Sequence, residues 1–322
     1  PFELKYIIDN FVRNPEIGFV PTDSIVMTVD KAAVLRSGMK LPHGKDSIPD
    51  KMFISLRGKR ILTKSEMMVY EMLAHHDWTR PLYMSTTLGG DNQAGLDNYL
   101  MLEGLAARVT PFKLGDSGVD TERMYDNFMK KFRYGHIADP KVYVDQTVMR
   151  TCYTHRMRFA QLAQQLIKEG KRDKALKALE KCEQVLPQRQ VPYEVWSLGI
   201  DSKTGLLMMP ECYRELGKTK EAERILKAVA DRSLAYFDWY NSFSESRLSS
   251  MSGDIMQQYQ ILGMAIEGLQ KCKSPLVGVY TKRIDQLQRT AAGRVLISAM
   301  NARRAAASTP GNGGEDEGDG DF

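Results

Sequence analysis

The sequence predicts an α+β chain: a mixed α/β domain over residues 1–147, an all-α domain of helical repeats over residues 148–307, and an acidic tail over residues 308–322. Three observations predict it. Strand-like runs rich in β-branched and aromatic residues occur only in the first part. From Val148 onward apolar residues recur at helical intervals, and one pattern of them appears twice. The last fifteen residues, STPGNGGEDEGDGDF, form a low-complexity stretch with almost nothing apolar to bury, and are expected to be disordered.

Taken in order, PFELKYIIDNFVRNP places Leu4, Ile7, Ile8 and Phe11 on one helical face. A chain whose first residue is a proline inside such a pattern reads as a piece of something longer. DSIVMTVD and KMFISLRGKRIL read as strands, with KAAVLRSGM as a short helix between them. Thr63 and Glu66 have the spacing of a capping box, and Val69, Met72, Leu73 and His76 follow at helical intervals. That helix is expected to end near Trp78, because Pro81 lacks a backbone donor and pushes Arg80 out of the helical region. RPLYMSTT then reads as a buried strand, and Gly89-Gly90 as the turn after it. NYLMLEGLA reads as helix-like and leads into ARVTPFK, and DTERMYDNFMKKFRYG reads as an amphipathic helix with Met124, Phe128 and Phe132 on one face.

The helical part contains an internal repeat. In FAQLAQQLIKEGKRDKALKALEKCEQVLP, Leu162, Ala163, Leu166, Gly170, Ala175, Leu179, Cys182 and Pro187 have the spacing of a tetratricopeptide helix-turn-helix unit. Small Ala163 and Ala175 allow close helix approach, Gly170 permits the turn, and Pro187 stops the second helix. A second copy carries Tyr213, Gly217, Ala222, Leu226 and Val229, with QRQVPYEVWSLGI inserted between the units. A third pair is expected from DIMQQYQILGMAIEGLQKC and the long run that begins LVGVYTKRIDQLQ.

Composition narrows the classes of function. No run approaches the roughly 18–20 apolar residues of a membrane span, and the N-terminus has no secretory signal pattern. Five acids (Glu315, Asp316, Glu317, Asp319, Asp321) lie in the tail, leaving 45 basic against 35 acidic residues in the body. That excess would suit a phosphate-rich partner, but the basic residues are spread along helices and no nucleic-acid motif is present, so no nucleic-acid partner is expected. Cys152, Cys182, Cys212 and Cys272 form no CxxC pair and read as buried thiols, although the sequence leaves one disulfide open and cannot choose its pairing.

The densest concentration of chemical residue types is LAHHDWTRPLYMSTTLGG, residues 73–90. His75 and His76 are adjacent, so on a helix they point about 100° apart and cannot chelate one ion as His residues at i and i+4 can. His76 extends an apolar stripe and reads as a core or interface residue. Asp77, Asp91 and Asp97 around Arg80 show no paired acid-base spacing and fit helix-end and turn duties. TTLGGDNQAG lacks the Lys-Ser/Thr of a phosphate loop, and no serine sits in a GxSxG elbow. LAYFDWYNSF could stack on a sugar, but packing between helices accounts for it equally. The residues themselves yield no catalytic constellation and no metal site.

Several blocks in one order carry a resemblance: WTRPLYMSTT, YLMLEGLAARVTPF, DTERMYDNFMKKFRYG, VYVDQTVMR and RFAQLAQQLIKEGKRDKAL. They resemble the C-terminal soluble part of large multi-spanning membrane proteins common in Bacteroidetes, long catalogued as a domain of unknown function. That family is similar to GT-C glycosyltransferases and to the eukaryotic transmembrane protein O-mannosyltransferase. Within the resemblance, Trp78, Arg80, Pro81, Leu82 and Tyr83 match a W-x-R-P-aliphatic-Tyr stretch, and Tyr99, Glu103, Gly104, Tyr125, Asp126 and Asn127 match two further blocks, all without an assigned role. Met84 departs from the pattern where an aromatic stands in the family, and His75 and His76 where polar amides stand.

The resemblance implies an extracytoplasmic, periplasmic location as part of a membrane protein, with the membrane domain of the same parent chain and an acceptor polypeptide as partners. It implies that a polyprenyl-phosphate sugar donor and the catalytic acid belong to that membrane part, so that this segment has no cofactor of its own and positions the acceptor. The alternative is a stand-alone tetratricopeptide-type adaptor that catalyses nothing. A soluble hydrolase centred on residues 73–90 would need a nucleophile or metal constellation that the sequence does not show.

Overall fold

A computed structural model describes residues 1–308 except 15, 18, 43, 58, 60, 90–92, 115–117 and 194–201. The acidic tail from residue 309, the Gly90 and Asp91 positions of the expected turn, and the end of the QRQVPYEVWSLGI insertion therefore lie outside the described residues. A small N-terminal α/β region with two sheets is followed by many helices. The chain divides into two compact units, Pro1–Ile137 with Thr154–Val185, and Ala138–Tyr153 with Leu186–Phe322.

In the first unit, β1 (Phe2–Glu3) leads into α1 (Leu4–Ile7), which continues as a π-helical turn over Ile8–Val12. Leu4, Ile7 and Ile8 are buried, as their shared face requires. The first sheet has the order β1-β2-β3, with β2 (Ser24–Thr28) parallel to β1 and β3 (Lys51–Ser55) antiparallel to β2. The alternation along β3 buries Met52 and Ile54 and exposes Lys51, Phe53 and Ser55. Between the strands, Asp30 caps α2 (Lys31–Arg36) by accepting from the Ala33 amide.

The capping box predicted for α3 (Lys64–Ala74) is present in both directions: the Thr63 hydroxyl accepts from the Glu66 amide at 3.3 Å and Glu66 accepts from the Thr63 amide at 2.9 Å. The helix ends at Ala74, several residues before Trp78. His75 takes a non-helical conformation, and Trp78 adopts φ +62°. A left-handed tryptophan costs roughly 1–3 kcal/mol and persists only where the surroundings over-determine it. Trp78 is only 1% exposed, with His76 edge-on to its ring at 4.7 Å.

The second sheet has the order β4-β6-β5, built from β4 (Tyr83–Ser85), β5 (Leu100–Leu102) and β6 (Ala106–Val109), all antiparallel. This corrects two expectations. The strand read from RPLYMSTT is three residues long and buries only Met84. NYLMLEGLA is not helical: after a 3-10 turn at Asp97–Tyr99 it forms β5 and the connection to β6. Its Leu, Met, Glu and Ala favour helix locally, but tertiary pairing prevails. Tyr99 is anchored by its hydroxyl donating to the Phe53 carbonyl at 2.6 Å, and its own carbonyl accepts from the Thr110 amide at 2.8 Å. Residues 118–120 then run beside β5, with Leu102 N donating to Gly118 O and Asp120 N to Leu102 O.

That strip delivers α4 (Thr121–Asp126), extended by a π-helical turn over Asn127–Lys131. Met124 and Phe128 are fully buried, with Phe132 edge-on to Phe128 at 5.1 Å. The expected boundary at 147/148 falls inside α5 (Gln146–Lys168), whose residues from Thr154 onward belong with the two sheets, as does α6 (Arg172–Val185). Leu162, Ala163, Leu166, Ala175, Leu179 and Cys182 are buried between elements, and Gly170 turns the chain at φ +75° with Lys171 N donating to Leu166 O. Pro187 lies just beyond the end of α6.

In the second unit, α7 (Ser202–Glu215) and α8 (Thr219–Tyr240) turn on Gly217 at φ +77°, with Lys218 N donating to Tyr213 O. This repeats the hydrogen-bonding pattern at Gly170, a left-handed C-terminal cap that a side chain would strain. Tyr213, Ala222, Leu226 and Val229 are buried. α8 packs on α7 and α10 (Ser252–Lys271), with the short α9 (Glu245–Ser250) between α8 and α10. The expected third pair is instead three helices, because its second run breaks into α11 (Leu276–Leu287) and α12 (Ala291–Ser308). The Thr290 hydroxyl accepts from Gly293 N, and Asn241 Oδ1 from Ala292 N, so side chains satisfy the new helix start. In LAYFDWYNSF, Phe237 and Tyr240 join a core with Leu248, Ile255 and Leu296, while Trp239 stays half exposed.

Candidate functional site

The pleat of the second sheet puts alternate residues on opposite faces. Tyr83 pairs with Arg108 and Arg108 with Met101, so these three share one face, and Glu103, two residues beyond Met101, follows on it. Met84, Ala107, Leu100 and Leu102 share the other. On the first face lies a cleft of about 580 Å³.

Glu103 is at its floor and 4% exposed. Its Oε2 accepts from the Tyr83 hydroxyl at 2.5 Å and faces Arg123 Nη1 at 3.4 Å. Among the described residues its Oε1 has no hydrogen-bond partner, and it stands 3.9 Å from Arg108 Nη1. Its backbone carbonyl accepts from Asn127 Nδ2 at 2.7 Å. Arg108, 2% exposed, has its guanidinium destabilised by burial, against which the Glu103 carboxylate acts. Asp120 accepts from the Arg123 amide as the α4 N-cap, and Arg123 Nη2 donates to Gly38 O at 2.8 Å. Two carboxylates thus face two guanidiniums, the balance a buried charge cluster needs.

Gly104 carries φ +147°, and a Cβ there would meet Phe132 Cζ at 3.1 Å. Only glycine lets the chain turn from Glu103 toward β6 while Phe132 and Asn127 stand so close. At the rim, Asp126 is paired with Lys130 and Lys131, and Glu122 with Lys171 and Lys174, which hold its carboxyl down to about 2. The Tyr83 phenol is raised by burial and by its hydrogen bond to Glu103, so it stays protonated and donates. The cleft can hold a polar group against a fixed tyrosine, guanidinium and amide. Its carboxylate is engaged on Oε2 by Tyr83 and Arg123, while Oε1 makes no hydrogen bond among the described residues.

Of the motif residues singled out in the sequence, the fold brings Tyr83, Glu103, Asp126 and Asn127 to the cleft, with Gly104 shaping its wall. Trp78 and Tyr99 are buried supports, Leu82 packs on the core, Arg80 and Pro81 are exposed, and Tyr125 lies under Lys174 at 5.4 Å. Arg108, Asp120 and Arg123 were missed. The signal for Arg108 was a charge alternating with apolar residues in ARVTPF, visible only if that segment is read as a strand.

The opening candidates resolve into local duties. Asp77 accepts from the Thr79 amide and hydroxyl, an Asx turn that lowers its pKa. His76 is half-buried, its imidazolium disfavoured by burial, and exposed His75 pairs with Glu71 when charged. Among the described residues no group of His, Cys, Asp and Glu could hold a metal ion, and no helix is long and apolar enough to cross a membrane.

Compared with known families, residues 3–127 match the model of TMEM260-associated domain 2. The matched range includes every residue of the cleft floor. No curated protein and no solved structure matches the chain significantly.

Proposed function

We propose that the chain is the extracytoplasmic, non-catalytic C-terminal region of a TMEM260-type membrane glycosyltransferase related to the GT-C enzymes, and that it positions an acceptor protein or a partner. The observation that carries this reading is the match over residues 3–127 together with the convergence, inside that range, of three separated sequence blocks on one polar cleft. In this reading a hexose, mannose by the resemblance, moves from a polyprenyl-phosphate carrier held by a membrane part on the periplasmic side, and the tetratricopeptide-like helix pairs offer a surface to the polypeptide.

Two measurements test it. Reading the coding sequence upstream of the Pro1 codon should reveal several hydrophobic spans of about 20 residues with an acidic residue in the first outward loop. A start codon and signal peptide directly ahead of Pro1 would overturn the reading and leave a secreted adaptor. Incubating the purified chain with polyprenyl-phosphate mannose and a Ser/Thr-rich peptide should give no transfer; transfer would place catalysis in these residues.

A further inference from the structure

The opposite face of the second sheet carries a separate groove of about 380 Å³. Its floor is aliphatic: Met84, Leu100, Leu102 and Ala107, the row fixed by the sheet register. Its wall is one stripe of α5, Arg158, Gln161, Gln164, Gln165 and Lys168, at the i, i+3, i+4 spacing that lines one helix face.

A helix lying over an apolar sheet face normally turns its own apolar stripe toward it. Here the apolar stripe, Phe159, Leu162, Ala163 and Leu166, is buried elsewhere, and a polar one faces the groove. Among the described residues the half-buried side-chain amides of Gln164, Gln165 and Gln93 make no hydrogen bond, and Arg158 Nε is buried without one. Gln161 accepts from Arg158 Nη1 at 2.6 Å, and Arg158 Nη2 donates to the Thr86 carbonyl at 3.4 Å. These amides line the groove open to solvent, where a ligand that offers both donors and acceptors can pair with them.

We propose that this groove binds an extended segment of polypeptide, with backbone amides on the glutamine wall and alternate aliphatic side chains on the floor. Each glutamine offers one acceptor and two donors, the complement of a peptide unit. From Gln161 to Lys168 the helix advances about 10 Å at about 1.5 Å per residue, the length of three extended residues at about 3.3 Å each. Among the described residues no aromatic ring lines the groove, so a sugar would find no stacking platform there. Lys168 and Asp97 both border it, which disfavours a purely anionic ligand. The proposal rests on the acceptor-positioning reading for what the peptide is, not for the fact of binding.

The test uses the full chain and an array of N-acetylated nonapeptides with Val, Ile, Leu or Ala at alternate positions and Ser, Thr, Asn or Gln between. Binding is read by fluorescence anisotropy and by amide chemical shifts. Peptides should bind, shift Thr86, Leu100, Leu102 and Gln165, and lose binding when their backbone is N-methylated. Gln164→Ala with Gln165→Ala should weaken binding about tenfold or more while leaving the melting temperature unchanged, since alanine favours helix. Lys64→Ala, exposed on α3 and outside both the cleft and the groove, should leave it unaltered. No binding across the array, binding indifferent to N-methylation, or mannobiose rather than peptide shifting these residues would overturn the proposal. Peptide binding by a chain with no membrane spans upstream would sink the transferase reading alone; spans upstream without peptide binding would sink the groove alone.

Discussion

Replacing Gly104 by alanine separates the two reasons a glycine stands in the cleft wall. The backbone reason is φ +147°, a region that side chains rarely adopt and that costs roughly 1–3 kcal/mol. The contact reason is a new Cβ at 3.1 Å from Phe132 Cζ and 3.4 Å from Cε2, against an optimum near 3.5–4.0 Å, with Asn127 Nδ2 at 3.7 Å. Phe132 is held edge-on to Phe128, so it yields only by disturbing that packing, and overpacking of this kind costs about 1–3 kcal/mol. Gly104→Ala should therefore lose about 2–6 kcal/mol. Gly135→Ala is the control: it also has positive φ, +57°, but nothing lies within 4 Å, so only the left-handed cost of about 1–2 kcal/mol applies. Urea unfolding followed on amide signals of β5 and β6 reports on this unit alone. Adding Phe132→Leu should recover the contact part and not the backbone part, giving a coupling of about 1 kcal/mol or more. A Gly104→Ala chain as stable as Gly135→Ala would refute the argument.

Gln258 is fully buried on α10 with neither amide atom hydrogen-bonded among the described residues, so Gln258→Met should raise the melting temperature by several degrees; a lowered melting temperature would show that the amide has a partner. The Glu122 carboxyl is depressed to about 2 by its hydrogen bonds to Lys171 and then Lys174. Its stabilising contribution is complete above its ordinary value of 4.5 and lost as pH falls toward 2. A carbon-13 titration should show this midpoint, and Lys171→Met with Lys174→Met should return it to the ordinary range; a midpoint that stays put in the double variant would contradict the pairing. Burial pushes the Cys182 and Cys212 thiols up to about 12. Iodoacetamide at pH 8 should accordingly modify half-buried Cys272 first in the native chain, with rapid early labelling of Cys182 counting against the packed helix pair.

Much of the architecture was legible because local signals carry their own physics. The Thr63–Glu66 capping box, the strands at 24–28 and 51–55, the α2 helix and the left-handed turns at Gly170 and Gly217 each follow from residues adjacent in sequence. Where reading failed, propensity and pairing disagreed. Leu100 to Leu105 looks helical residue by residue, yet Tyr99 anchored to Phe53 and Glu103 anchored by Asn127 hold it in a sheet.

The sequence by itself determined the class, a mixed α/β region ahead of helices, since periodicity and caps are properties of neighbouring residues. The resemblance singled out Tyr83, Glu103, Gly104 and Asn127 in three separate blocks, without a role for any of them. Only the tertiary structure decided that they meet, because the strand register sets which face each side chain takes, and a shift of one residue would exchange the cleft for the groove. Arg108 and Arg123 become partners of Glu103 for the same reason: buried charge is tolerated only where distant parts of the chain bring its counter-charge to it.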